Sequence, residues 1–352
     1  MDYSYPLLHK IFNHYNKDKK DLSDFRLYSC QHLLGPQLEM YKMFIEFGFK
    51  PENIIALGKV YSSNKEVIQD LKNLGIKVLQ PEFSGISFDI EHMKNCQNIV
   101  KEISDNNKNI ILDDGGYLIH ATENNNIYFA VEQTSSGFRK LENKELNFPV
   151  LNVARSKTKL TQESPIIARI IFERVKTYIQ DNNINSPKIL VIGLGPIGNS
   201  VLQILNDEKY DVMGFDVETK KEDVISYLEN EMPDIVIGAT GASIFNVSDL
   251  SSLESDHTYH FISVSSSDRE FPVVSFRKNI EVHNDVKYKN FIFVNNGFPI
   301  TFKGNKYEGT PIEIEKTIGL LMGSVLHGVV NDLNSQNGIM EVPEELEDII
   351  NN

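Results

Sequence analysis

Along the first 150 residues, short apolar runs alternate with stretches whose apolar positions recur every three to four residues. FRLYS (25–29), NIIALG (53–58), KVLQ (77–80) and NIILDDGG (109–116) read as strands. Between them PQLEMYKMFIEFG (36–48), NKEVIQDLKNLG (64–75) and IEHMKNCQNIVKEI (90–103) read as helices. This rhythm predicts parallel strands joined by right-handed crossovers, with chemistry just beyond the strands' carboxyl ends. QESPIIARIIFERVKTYIQD (162–181) carries one apolar stripe through Ile166, Ile167, Ile170, Ile171 and Tyr178, as a long helix does. The polar segment NNINSP (182–187) follows it as a boundary. A second series then runs through KILVIG, SVLQILND, YDVMGFD, EDVISYLEN, DIVIGAT, YHFISVS and FIFVNN, ending near residue 296. PIEIEKTIGLLMGSVLHGVVND (311–332) is another long amphipathic helix, able to carry the chain back to the first series.

Length supports this division. At 352 residues the chain exceeds the roughly 250–300 at which single cores stop growing. The predicted fold class is α/β, with two doubly wound (Rossmann-like) domains joined by two long hinge helices. A formal charge of −14 repels polyanions, so nucleic acid is excluded as a general partner. No run approaches about 18 uninterrupted apolar residues and the first residues lack a signal-peptide core, so a cytoplasmic protein without a membrane partner is expected. Cys30 and Cys96 show no pairing pattern or metal-ligand spacing and read as reduced thiols.

The stretch ILVIGLGPIG (189–198) holds G-x-G-x-x-G after an apolar run and before a helix, the context in which helix amides face a pyrophosphate. Asp216 ends the next strand, where a carboxylate accepts from ribose hydroxyls and repels a 2′-phosphate, favouring NAD over NADP. IGATGASI (237–244) places another glycine turn after a strand. Candidate cofactor contacts are therefore Gly193, Gly195, Pro196, Ile197, Gly198, Asp216, Ala239, Thr240 and Gly241, with Asn295 in FIFVNN. The domains follow: 1–160 plus 325–352 for substrate and catalysis, 185–310 for NAD, and hinge helices at 161–184 and 311–324.

Four stretches in order resemble the S-adenosylhomocysteine hydrolase (adenosylhomocysteinase) family: ILDDGGYLIH (111–120), AVEQTSSGFRKLE (130–142), LNVARSKTKLTQES (151–164), and GLGPIG followed by DIVIGATG. Weaker similarity runs from His32 through KVYSSN (59–64) to GTPIEIEKTIG (309–319), covering most of the chain. The resemblance implies bound NAD+ that oxidises a ribose 3′-hydroxyl, proton loss at the 4′ carbon, elimination of a thiol, addition of water and reduction. By that resemblance Lys159 faces the 3′-hydroxyl, and Asp114 is an acid/base near the 4′ carbon. Thr134, Ser135 and Ser136 contact the nicotinamide end, and His32 and Ser62 lie on the substrate side.

Departures from the family pattern are as informative. Gln133 stands for a glutamate, Glu163 for an aspartate still able to accept a proton, Ser164 for an asparagine and Ala168 for a cysteine. Thr310 replaces a histidine in GTPIE, and HLLGPQ after Gln31 lacks the threonine and glutamate that read adenine. The family's C-terminal lysine and tyrosine also have no counterpart. Lys159 in the polar run SKTKL fits a surface lysine as well, and Asp114 before two glycines fits a turn. HATENNN (120–126) and HTYH (257–260) lack three convergent ligands with helical spacing, so no metal is expected.

Three functions are compatible with this reading. The first is an adenosylhomocysteinase-like enzyme acting on a nucleoside thioether or related ribosyl compound through a 3′-keto intermediate. A dehydrogenase of a sugar or hydroxy acid with exchangeable NAD is the second, and a non-catalytic NAD-binding paralogue the third. The partner is a small molecule, and the sequence leaves homo-oligomerisation open.

Overall fold

The structure, a computed structural model, describes residues 3–122, 126–216, 218–278, 280–309, 311–333 and 337–352. The chain divides into two compact units, 1–82 with 91–163 and 304–352, and 83–90 with 164–303.

The first unit opens with α1 (Pro6–Tyr15), β1 (Phe25–Cys30), α2 (Gly35–Phe47), β2 (Ile54–Leu57), α3 (Lys65–Asn73) and β3 (Lys77–Leu79). It continues with α4 (Phe88–Val100, which belongs to this unit from residue 91), β4 (Lys108–Asp113), α5 (Tyr117–Ala121), β5 (Ile127–Glu132), α6 (Ser135–Leu141) and β6 (Pro149–Asn152). The second unit comprises α7 (Ser164–Asp181), β7 (Lys188–Ile192), α8 (Pro196–Asp207), β8 (Asp211–Phe215), α9 (Lys221–Glu231) and β9 (Ile235–Gly238). Then come α10 (Val247–Ser251), β10 (Tyr259–Ser263), β11 (Val286–Tyr288) and β12 (Phe291–Phe293). The chain returns to the first unit as α11 (Pro311–Asn331), β13 (Gly338–Glu341) and α12 (Glu344–Asn351).

Among the described residues the first unit's sheet has seven strands in the order β13-β6-β5-β4-β1-β2-β3. Every pairing is parallel. The chain steps from β1 to β2 and β3 on one side, then to β4, β5 and β6 on the other. The order therefore reverses between β1 and β4, the position at which open α/β sheets bind ligands. Alternate residues Leu27, Ile54, Ile110, Leu112, Phe129, Val131 and Leu151 pack one sheet face against apolar residues of α1, α2 and α11. α1 is an element that the pattern analysis does not assign. It lacks a side-chain cap of its own, and Glu315 Oε1 accepts from Leu7 N at 2.8 Å in its first turn.

Among the described residues the second unit's sheet has six strands in the order β11-β12-β10-β9-β7-β8, with only β11 antiparallel. Its reversal lies between β7 and β9. α7 and α8 cover one face through Ile171, Val175, Val201 and Leu205. An aromatic layer of Phe245, Phe261, Phe271, Phe291 and Phe293 fills the other. Residues 83–90 belong to this unit, where Phe88 N donates to Asp268 Oδ1 at 3.1 Å and Asp268 pairs with buried Arg277 at 2.8 Å. The boundaries differ from those read in the sequence. α7 belongs wholly to the second unit and α11 to the first, because each buries its apolar stripe in that unit's core.

Candidate active site

In the first unit the parallel ladder continues beyond the strands. Gln31 N donates to Leu57 O, Asp114 N to Cys30 O, Gln133 N to Asp113 O, and Leu33 N to Ser62 O. The loops after β1, β2, β4 and β5 are thus held in register at the reversal point, which brings together side chains far apart in sequence.

Asp114 is the centre of this group. Lys59 Nζ donates to its Oδ1, and His32 Nε2 lies 3.0 Å from its Oδ2. The Lys59 and Asp114 side chains are only 2% and 1% exposed. His32 Nδ1 in turn meets Ser62 Oγ in a short hydrogen bond. Burial opposes charge on Asp114, but Lys59 and His32 outweigh it and hold the carboxyl well below the usual range. Burial likewise opposes charge on Lys59, yet Asp114 keeps it protonated. Burial also lowers His32, with Lys59 adding to the effect against the pull of Asp114. A neutral imidazole facing a carboxylate carries its proton on Nε2, which leaves Nδ1 to accept from the Ser62 hydroxyl.

Glu132 organises the DDGG turn. Its carboxylate accepts from Gly115 N at 3.1 Å, Gly116 N at 2.9 Å, Thr134 N at 2.7 Å and Thr134 Oγ1 at 2.8 Å. Burial and the neighbouring Asp113 nevertheless push Glu132 up to about 8. Burial pushes Asp113 up to about 6, against a hydrogen bond from Ile119 N. Thr134 is engaged on both sides: it binds Glu132 and caps α6 by accepting from Gly137 N at 3.0 Å. Ser135 and Ser136 form the first turn of that helix.

Lys159 reaches the same strand ends. Its Nζ donates to Gln133 O at 2.7 Å and lies 3.4 Å from Glu163 Oε2, and its side chain is 11% exposed. Glu163 Oε1 accepts from Thr317 Oγ1 at 3.1 Å. Gln133 Oε1 and both amide atoms of Gln31 are buried without a hydrogen-bond partner among the described residues. Such orphaned amides at the ends of neighbouring strands are acceptors and donors suited to a polar ligand. The start of α2, by contrast, is covered by the chain itself. Leu34 and Pro36 are buried, Gly35 N donates to Lys306 O, and a Cβ on Gly35 would lie 2.2 Å from the Tyr307 ring.

In the second unit the three fingerprint glycines have three different surroundings. Gly193 has φ +98°, and a Cβ there would lie 2.7 Å from the Ala239 carbonyl carbon. A Cβ on Gly198 would fall 1.8 Å from Gly193 O, so α8 can approach β7 only with glycine at that position. At Gly195 a Cβ meets nothing within 4 Å. This glycine opens α8 with Pro196 at the first helical position and no side-chain cap, so the helix amides of the first turn face the open side. Ile197 packs onto the core. Asp216 Oδ1 accepts from Leu194 N at 3.0 Å, beside the glycine loop. The turn after β9 is braced by buried Glu270, which accepts from Gly241 N at 2.7 Å and lies 3.1 Å from Thr240 Oγ1.

One candidate has other employment. Asn295, at φ +54°, donates its amide to Pro299 O and Phe302 O at 2.9 Å each and so shapes its own loop. Ser164 opens α7 in the second unit, not the one that holds Lys159 and Glu163. Thr310 lies outside the described residues.

Sequence reading missed Lys59, Glu132 and His92. A lysine directly after a strand at the ligand end was the available signal for Lys59. For His92 it was the i, i+4 spacing with Cys96. The two cysteines, read as unrelated, converge: Cys30 Sγ, His92 Nε2 and Cys96 Sγ are buried within 4.8 Å of one another.

No protein-family model matches the chain. Two uncharacterized proteins of Mycobacterium tuberculosis, from strains CDC 1551 / Oshkosh and ATCC 25618 / H37Rv, are each 30% identical to it over 338 residues. These alignments cover 88% of this chain but 65% of the relatives, so the chain spans under two thirds of their length. Among solved structures, a dipicolinate synthase subunit of Bacillus halodurans is 13% identical with a TM-score of 0.44, covering 87% of this chain and 98% of that one. The NADPH-dependent glyoxylate/hydroxypyruvate reductase of Sinorhizobium meliloti is 9% identical with a TM-score of 0.42, covering 86% and 93%. Neither structure is an adenosylhomocysteinase.

Proposed function

We propose that this chain is an NAD-dependent oxidoreductase acting on a hydroxyl-bearing small molecule. The observation that carries this reading is the contrast among the glycines. Gly193 and Gly198 have no room for a side chain because of the chain's own packing, whereas Gly195 faces open space at the start of α8. Packing explains the first and third glycines; a pyrophosphate against the backbone explains the second. Asp216 would bind the adenosine ribose and disfavour a 2′-phosphate. When bound, NAD supplies the two-electron acceptor for oxidation of a carbinol carbon.

The first unit by itself carries groups suited to proton chemistry. His32, neutral and with Nδ1 turned to Ser62, takes a proton from a hydroxyl bound there, directly or through the Ser62 hydroxyl. Asp114 then faces the imidazolium, and Lys59 keeps Asp114 ionised throughout. The Lys159 ammonium stabilises negative charge developing on the substrate oxygen, with Glu163 as a neighbouring acceptor. Gln31 and Gln133 present amides to the substrate's other polar groups.

The second reading keeps the same residues but closes the redox cycle, as in adenosylhomocysteinase, with the ketone transient and a leaving group lost. Contact of Lys159 with both Glu163 and the Gln133 carbonyl favours it. The covered start of α2 weighs against adenosine as the substrate. The two readings separate on incubation with NAD+ and a panel of hydroxy acids, sugars and nucleoside thioethers. Accumulating reduced-nicotinamide absorbance supports the dehydrogenase, and release of a thiol or other leaving group without it supports the closed cycle. No turnover of any alcohol or thioether would remove both.

A further inference from the structure

We infer that the first unit binds one zinc ion through Cys30 Sγ, His92 Nε2 and Cys96 Sγ. Cys30 ends β1, whereas His92 and Cys96 lie one turn apart on α4, so a strand end and a helix face supply the three atoms. These atoms all lie within 4.8 Å of one another, and Cys30 Sγ is 3.1 Å from His92 Nε2. Tetrahedral zinc with its usual bond lengths separates sulfur and nitrogen ligands by about 3.6 Å and two sulfurs by about 3.8 Å. Entry of the ion therefore needs Cys30 Sγ and His92 Nε2 to part by about 0.5 Å and any pair near the 4.8 Å limit to close by up to about 1 Å, shifts within reach of side-chain rotation. The spacing His92-x-x-x-Cys96 keeps both helical ligands on one face without bending the helix.

Charge balance selects the metal class. The three side chains are 0%, 1% and 0% exposed, and an uncompensated dication there would meet a large desolvation cost. Binding releases two thiol protons to solvent, and the two thiolates cancel the ion's charge, leaving a neutral centre. Thiolate and imidazole donors favour zinc over the hard, oxygen-seeking cations. Three protein ligands leave a fourth position for water. Because Cys30 pairs in register with Asp113 and leads into Gln31 and His32, the ion would fix the strand end from which the candidate site is built.

The inference stands apart from the proposed redox function, since it concerns other side chains and is read without turnover. Protein purified under reducing conditions with zinc and without chelator is expected to hold one zinc per chain by elemental analysis. Replacing zinc by Co2+ is expected to give thiolate-to-cobalt charge-transfer absorption with tetrahedral ligand-field bands. Both signals should vanish in Cys96→Ala and in Cys30→Ala. The wild-type cobalt spectrum decides the matter even if a variant fails to fold. Absence of zinc and of the thiolate band in the wild type would overturn the proposal, as would a band that persists in both variants. An intact mass showing Cys30 and Cys96 joined as a disulfide would also overturn it.

Discussion

Lys59 and Asp114 form an ion pair in which both side chains are almost wholly buried, at the point where the strand order of the first sheet reverses. A buried pair is costly to break because the remaining charge loses its partner without regaining water. Lys59→Met should therefore destabilise the protein by about 3–5 kcal/mol. Lys59→Met with Asp114→Asn should recover much of that loss. Denaturant titration of the single and double variants checks this, and additive losses would show that the two charges are not coupled.

The acid cluster beside this pair gives stability a defined pH dependence. Glu132 and Asp113 are raised in the folded state, so the native protein holds more protons than the unfolded chain between the ordinary carboxylate range and their folded values. Their contribution is full below about 4.5 and is lost as pH rises toward about 8. Asp114 is depressed, so its contribution is present above its ordinary 3.8 and lost as pH falls below it. These three carboxyls by themselves favour mild acid, whereas buried His32 and His92, both held below the ordinary imidazole value, oppose them as pH falls below about 6.5. Glu132→Gln should flatten the decline between about pH 6 and 8, as thermal unfolding across that window would reveal.

His32 is set to accept a proton from Ser62 or from a hydroxyl beside it. Replacing it with asparagine removes the proposed base while keeping a polar side chain. His32→Asn should lower turnover by about 10²–10⁴-fold, the range for general acid–base catalysis, with NAD affinity unchanged. An unaltered rate would show that His32 only packs against Ser62 and Asp114.

Lys159 is held toward the strand ends by the Gln133 carbonyl and Glu163. If its ammonium acts on developing charge, Lys159→Ala lowers kcat and kcat/KM together. A change confined to KM would assign Lys159 to uniform binding.

Much of the fold was legible because each element's signal is local. Phe25–Cys30, Gly35–Phe47 and Ile54–Leu57 fall within a residue or two of the runs and periodic stretches that announce them, and Lys108–Asp113 ends three residues before its run does. α1 was not legible, because its helix rests on burial against α11 and on Glu315 at its amino end, contributions from more than 300 residues away. β13 is a four-residue edge strand too short to declare itself. Of the candidate site, the sequence points to Gly195 through its glycine motif and to Asp114 and Lys159 through a resemblance, and the structure places the latter two at the ends of neighbouring strands. Its electrostatics were not legible, because Lys59, Asp114, His32 and Ser62 come from three different loops that only the parallel register brings together. Cys30, His92 and Cys96 escaped for the same reason: two elements must pack before the spacing exists.

The central claim is that NAD lies against the backbone at Gly195, and equilibrium titration of NAD+ into wild type and Gly195→Val tests it most directly. With φ −66° and ψ −174° the backbone at 195 is open to any residue and a Cβ there meets nothing within 4 Å, so the variant should lose only about 1 kcal/mol, the cost of an apolar residue at a helix N-cap. Gly198→Ala, whose Cβ would strike Gly193 O, should instead destabilise the unit itself. Saturable NAD+ binding to wild type is expected, lost in Gly195→Val while the fold persists. No binding to wild type, or equal affinity in both proteins, would contradict it.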